Sequence, residues 1–154
     1  MADPVKTLLL KAIENAVKGI SGVGTVIRNP SKPPDKETAV FPVVHIWDEP
    51  ESIEERNRIA RCTFVLQVDW WTDVHESLGS DAADKFQADS LMAFLTDTGI
   101  RNYAMKIGPV PGGAGEEWWS NKGMIDEFFY GLAMRYEVKY AYVWGNPYAL
   151  AKNP

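Results

Sequence analysis

The segment Phe128 to Trp144 alternates without a break. Tyr130, Leu132, Met134, Tyr136, Val138, Tyr140, Tyr142 and Trp144 fall on one parity. Gly131, Ala133, Arg135, Glu137, Lys139, Ala141 and Val143 fall on the other. Period two is the signature of a strand whose two faces meet different surroundings. The run lasts about seventeen residues, whereas strands usually span roughly 3–10. Such a strand is expected to bend or to project beyond its own subunit. A second alternation, Arg61 to Trp71, places Cys62, Phe64, Leu66, Val68 and Trp70 on one face. Together the two runs demand a sheet with one apolar face, and that face must be covered.

Two helices can cover it. In residues 4–20, Val5, Leu8, Leu9, Ala12, Ile13, Ala16, Val17 and Ile20 recur at helical spacing, with Asp3 placed to cap the start. In residues 81–97, Ala83, Phe86, Ser90, Leu91, Phe94 and Leu95 form a stripe, with Gly99 as the terminator. Shorter strands are expected at Thr25–Arg28, Val40–Asp48 and Tyr103–Ile107. Pro30, Pro33 and Pro34 make residues 29–37 an exposed loop. Residues 49–58 form a long charged hairpin, and residues 108–123 a long loop. The expectation is a single α+β domain over residues 1–144. It has a mainly antiparallel sheet, two helices packed on one face, the charged hairpin and the long final strand. Residues 145–154, which lack periodicity, are expected to be a flexible tail.

Composition narrows the function classes. At 154 residues with a net charge of −5, the chain lacks the basic surplus that captures nucleic acid. Its one cysteine excludes an internal disulfide and a Cys-based zinc site. The acid at Asp3 and the short apolar runs suit neither a leader nor a membrane span, so a cytosolic chain with no membrane partner is expected.

Few residues suggest chemistry. His45 and His75 are thirty positions apart, and His75 lacks the second histidine of a zinc helix. His45, between Val44 and Ile46, is expected to be a sheet residue, and Cys62 an inert buried thiol. Gly112, Gly113 and Gly115 precede Glu116 and Glu117, which would repel a phosphate. Glu116, Glu117, Asp126 and Glu127 near Trp118 and Trp119 would be the acids of a carbohydrate-binding or carbohydrate-hydrolysing module. That reading rests on one acid group among 21 acidic residues. The expectation is no enzyme, no cofactor and no metal.

Tryptophan is the unusual component, with six residues. Trp47, Trp70 and Trp144 sit on strands, where sheet packing is the ordinary role, and Trp71 points opposite to Trp70. Trp118 and Trp119 share a loop that cannot easily bury two adjacent indoles. Exposed aromatic residues are enriched at protein interfaces. The hairpin offers both signs of charge in Glu51, Glu54, Glu55, Arg56 and Arg58. Association is therefore expected ahead of catalysis.

The order of pieces resembles the tail terminator (tail completion) proteins of long-tailed bacteriophages. The likeness covers roughly residues 5–144. It runs through Leu8-Leu9-Leu10-Lys11-Ala12-Ile13, Gly24-Thr25-Val26-Ile27 and the proline-rich loop. It continues through Phe41-Pro42-Val43-Val44-His45-Ile46, the hairpin with Arg56 and Arg58, and Phe64-Val65-Leu66-Gln67-Val68-Asp69-Trp70. The second helix and long final strand complete it.

The resemblance implies a structural virion protein assembled in the host cytoplasm. It would form a homo-oligomeric ring, a hexamer in that family, at the head-proximal end of the tail tube. The ring would stop tube polymerisation and dock the head–tail connector protein. Genome DNA would pass only as transiting cargo. A connector adaptor of the neck is the alternative. Three surfaces are expected to meet partners: the hairpin, the loop bearing Trp118 and Trp119, and the strand end Tyr140, Tyr142 and Trp144.

Overall fold

A computed structural model describes residues 3–73, 76–111, 119–126 and 128–151. Three helices lie with eight strands, β1 to β8, in one mostly antiparallel sheet, an α+β fold. The spine is a pair of equal partners. Strand β4 (Ile59–Thr72) and strand β7 (Tyr130–Val143) each have 14 residues and run antiparallel in unbroken register from Ile59↔Val143 to Thr72↔Tyr130. The long strand therefore neither needs to bend nor outruns the sheet. At ~3.3 Å per residue the spine is about 46 Å long.

Shorter strands share the two edges of this spine. On the outer edge of β4, β2 (Val43–Asp48) pairs with Leu66–Trp71 and β3 (Ser52–Arg56) with Ile59–Thr63. Strand β1 (Thr25–Arg28) adds in parallel to β2. On the outer edge of β7 follow β6 (Ser120–Met124), β5 (Ala104–Pro109) and β8 (Asn146–Leu150). Residues 146–150, expected in a flexible tail, are thus a strand. Leu150 lies opposite Tyr142, the Ala151 N–H donates to the Ala141 carbonyl, and Ala151 is buried. The loop expected over residues 108–123 contains β6 at its end.

The even parity of β4 and β7 faces the helices. Phe64, Leu66, Val68, Trp70, Met134, Tyr136, Val138 and Tyr140 are all buried there. Helix α1 (Val5–Lys18) lays Val5, Leu9, Ile13 and Val17 on this core. Asp3 does not cap α1: Pro4 holds the N-cap position, and the Asp3 carboxylate accepts from Lys11 Nζ at 2.6 Å. Helix α2 (Glu76–Thr96) contributes Ala83, Phe86, Ser90 and Phe94, whereas Leu95 is exposed. Gly99 does not terminate it. Asp97 ends α2 and caps a short helix α3 (Thr98–Arg101), its carboxylate accepting from the Ile100 N–H at 2.8 Å.

The odd parity is open and half-buried. There Lys106 and Lys139 pair with Glu137, and Arg135 reaches Glu49 at 2.8 Å. Towards the β1–β2 edge the same face becomes aromatic. His45 lies 5.6 Å from the Trp47 ring and 6.0 Å from Trp71, Trp71 meets Phe129, and Phe129 stacks on Phe41.

Candidate functional site

One end of the spine runs into a pair of turns. Strands β3 and β4 join through Asn57 and Arg58, whose φ angles of 55° and 62° are both left-handed. Two successive left-handed residues make a tight two-residue hairpin, whose twist matches that of the strands. The Arg58 N–H donates to Glu55 Oε1 at 2.9 Å, and the Arg58 carbonyl accepts from the Trp144 N–H at 2.9 Å. The hairpin tip and the β7–β8 turn are thereby tied together. Glu54, Glu55, Arg56 and Arg58 are exposed, and Trp144 is 53% exposed. Val143, Tyr148, Leu150, Ile53 and Met105 add exposed apolar surface on the strands of this region. An apolar centre flanked by two acids and two bases is the composition of a partner-binding surface.

The remaining expected interface residues face elsewhere. Glu51 Oε2 accepts a hydrogen bond from the Tyr140 hydroxyl at 2.6 Å and lies 3.5 Å from Lys6 Nζ. Its carboxylate braces α1 against the sheet. Tyr140 is 2% exposed, packed edge-on against Phe64, because even parity turns it into the core. Burial, reinforced by the Glu51 carboxylate, holds its phenol far above the usual range. Tyr142 is half-buried beside Tyr140.

Trp119 is not an exposed anchor. It packs on Tyr136 with ring centroids 4.9 Å apart, and its carbonyl accepts from the Arg135 N–H. Loop indoles are costly to bury in a loop alone; here the start of β6 at Ser120 holds the preceding Trp119 against β7. Trp118 lies outside the described residues. So do His75, Gly112, Gly113, Gly115, Glu116, Glu117 and Glu127. Asp126, the remaining acid of the carbohydrate reading, accepts from the Phe128 and Phe129 N–H groups and shapes a turn.

Cys62 is buried, and burial pushes its thiol up, away from the nucleophilic thiolate. His45 is also buried, which pushes its imidazole down and favours the neutral ring. Among the described residues no group of three His, Cys, Asp or Glu is placed to hold a metal ion. No described helix is long and apolar enough to cross a membrane.

Sequence reasoning missed a second feature at the opposite end. The proline-rich segment and the open face of β1 and β2 together line a half-open recess of about 580 Å³. Ile27, Val43 and His45 line it from the sheet, and Pro33 and Val40 from the proline-rich arch. The arch is clamped at its base. The Gly24 and Thr25 N–H groups donate to the Pro42 carbonyl, and the Thr25 hydroxyl donates to the Val40 carbonyl at 2.8 Å. A Cβ on Gly24 would strike the Val40 and Phe41 carbonyls, so only glycine admits this approach. Three prolines in nine residues were the available signal, since they stiffen an arch as well as forbid a strand.

No protein-family model matches the chain, and no curated protein matches it in sequence.

Proposed function

We propose that this chain is a ring-forming structural protein of a phage tail, acting as a terminator of the tail tube. The observation that carries this reading is the spine end. A rigid pair of strands presents Trp144, Val143 and Tyr148 beside a hairpin with balanced charge, where no described element covers them. Exposed apolar surface rimmed by polar residues is a mark of interaction sites. The order of elements that resembles the terminator family is the second support.

In this reading the ring sits at the head-proximal end of the tube. One side meets the tube protein and the other the head–tail connector. DNA passes through the lumen without being held. The net charge of −5 suits that passage.

The test is negative-stain microscopy of the purified protein, alone and with polymerising tube protein. Closed rings and tubes of limited length support the reading. Particles of single-chain size that leave tube length unchanged would sink it.

A further inference from the structure

We propose that successive copies join by seating Trp144 of one copy in the cavity under the proline-rich arch of the next. This rests on the ring reading and specifies its joint.

The two features cannot meet within one chain. Trp144 follows Val143, which pairs with Ile59, whereas the cavity wall His45 pairs with Asp69. Ten residues of β4 separate those rungs, about 33 Å at ~3.3 Å per residue. A protrusion and a recess at opposite ends of one subunit form a head-to-tail contact. Repeated with rotation, such a contact closes into a ring.

The recess is suited to an indole. Ile27, Val43 and Val40 supply apolar walls, and Val40 and Ile27 are 64% and 42% exposed at its mouth. His45 is 2% exposed, and its ring makes no hydrogen bond among the described residues; its contacts are the Trp47 and Trp71 rings. A neutral imidazole offers an acceptor that the indole N–H can use. An entering indole would also extend the aromatic row already on that face. A cavity of about 580 Å³ has room for Tyr148, carried on the strand that follows Trp144.

Charge agrees with this seating. Lys32 and Asp35 line the recess, and Glu54, Glu55, Arg56 and Arg58 lie on the hairpin tied to Trp144. The recess thus offers one charge of each sign to a hairpin that carries both signs. Strands β5 and β8 offer a poorer joint. Strand β5 carries a bulge, Lys106 and Pro109, and β8 carries Pro147, all of which blunt pairing between sheets.

The experiment keeps Trp144 and pairs Val40→Cys with Asn146→Cys, an exposed position two residues past the indole, in the full chain, and adds a short bis-maleimide. Cys62 is buried and does not compete. A ladder of cross-linked multimers is expected from the double variant and not from either single one. Separately, Val40→Glu and Trp144→Ala should each weaken self-association at least tenfold. The double variant should be no weaker than the worse single one. Both positions are exposed, so folding is preserved, and a melting curve checks it.

Rings that form with no ladder, and that survive Val40→Glu, would overturn the joint and leave the ring reading standing. A wild-type chain that never self-associates, even on tubes, would overturn both.

Discussion

Tyr136 and Trp144 lie eight residues apart on one alternation and have opposite fates. Tyr136 is fully buried between Phe94 and Trp119, with centroids at 4.7 and 4.9 Å, and its hydroxyl sits 2.7 Å from Ser90 Oγ. Trp144 stands at the spine end with half its surface in solvent. Parity fixes which face a residue occupies; the element lying over that face decides whether it is buried. The middle of the spine serves stability, and the end is free for association.

The comparison can be broken most forcefully in the middle. Tyr136→Ala removes the ring on which α2 and β6 both pack. Truncating a buried aromatic costs about 3–5 kcal/mol, a large part of the ~5–15 kcal/mol that holds a domain folded. Urea unfolding should show the midpoint collapse. A loss under 1 kcal/mol would mean that Tyr136 is not the hub.

Tyr140→Phe asks whether the inward turn of Tyr140 matters. It deletes the hydrogen bond to Glu51 and keeps the ring. Bonds to charged partners contribute about 1.5–3 kcal/mol, and the partial exposure of Glu51 places this one at the low end. An unchanged denaturation midpoint would remove Glu51 from the fold's bracing.

Acid and base should also separate the two regions. Burial raises the Tyr136 and Tyr140 phenols above their ordinary 10. The unfolded chain then loses protons first, so their contribution is complete below pH 10 and declines as pH rises beyond it. Burial lowers His45 below its ordinary 6.5. The unfolded chain takes up that proton first, so stability holds above pH 6.5 and falls as pH drops below it. Thermal melts across pH should give a plateau between these limits. His45→Phe should soften the acid limb and leave the alkaline one.

At the spine end the stability effects are small. Arg58 sits in a left-handed conformation that costs a side-chain-bearing residue about 1–2 kcal/mol. Arg58→Gly should therefore raise the melting temperature by about 2–4 °C per kcal/mol recovered. The same change removes a hairpin charge, so association should weaken while stability rises. Opposite signs in one variant sharpen the distinction between the regions.

Much of this was legible in the chain. The alternations of residues 61–71 and 128–144 marked the spine, and helical spacing marked α1 because its buried stripe is regular. What escaped depends on partners distant in sequence. Strand β6, with Lys122 and Gly123, has no apolar rhythm; pairing with β7 makes it a strand and turns Trp119 inward. Strand β8 contains Pro147 and forms only because the end of β7 lies alongside. The sequence marks the balanced hairpin and Trp144 as interface residues, and their exposure is compatible with that role. The sequence marks Glu51 and Tyr140 the same way, but a side chain bound across 89 positions of sequence leaves no local trace. The cavity at His45 needed the arch and the sheet together.

The most direct measurement is the mass in solution of the wild-type chain and of Trp144→Ala, by size-exclusion chromatography with light scattering. The wild type should elute as a discrete multiple of the chain mass at high concentration or on tube ends. Trp144→Ala should stay at single-chain mass with a melting curve within about 0.5 kcal/mol of wild type. A wild type that is monomeric under every condition, or a Trp144→Ala variant that assembles equally well, would contradict the role assigned to the spine end.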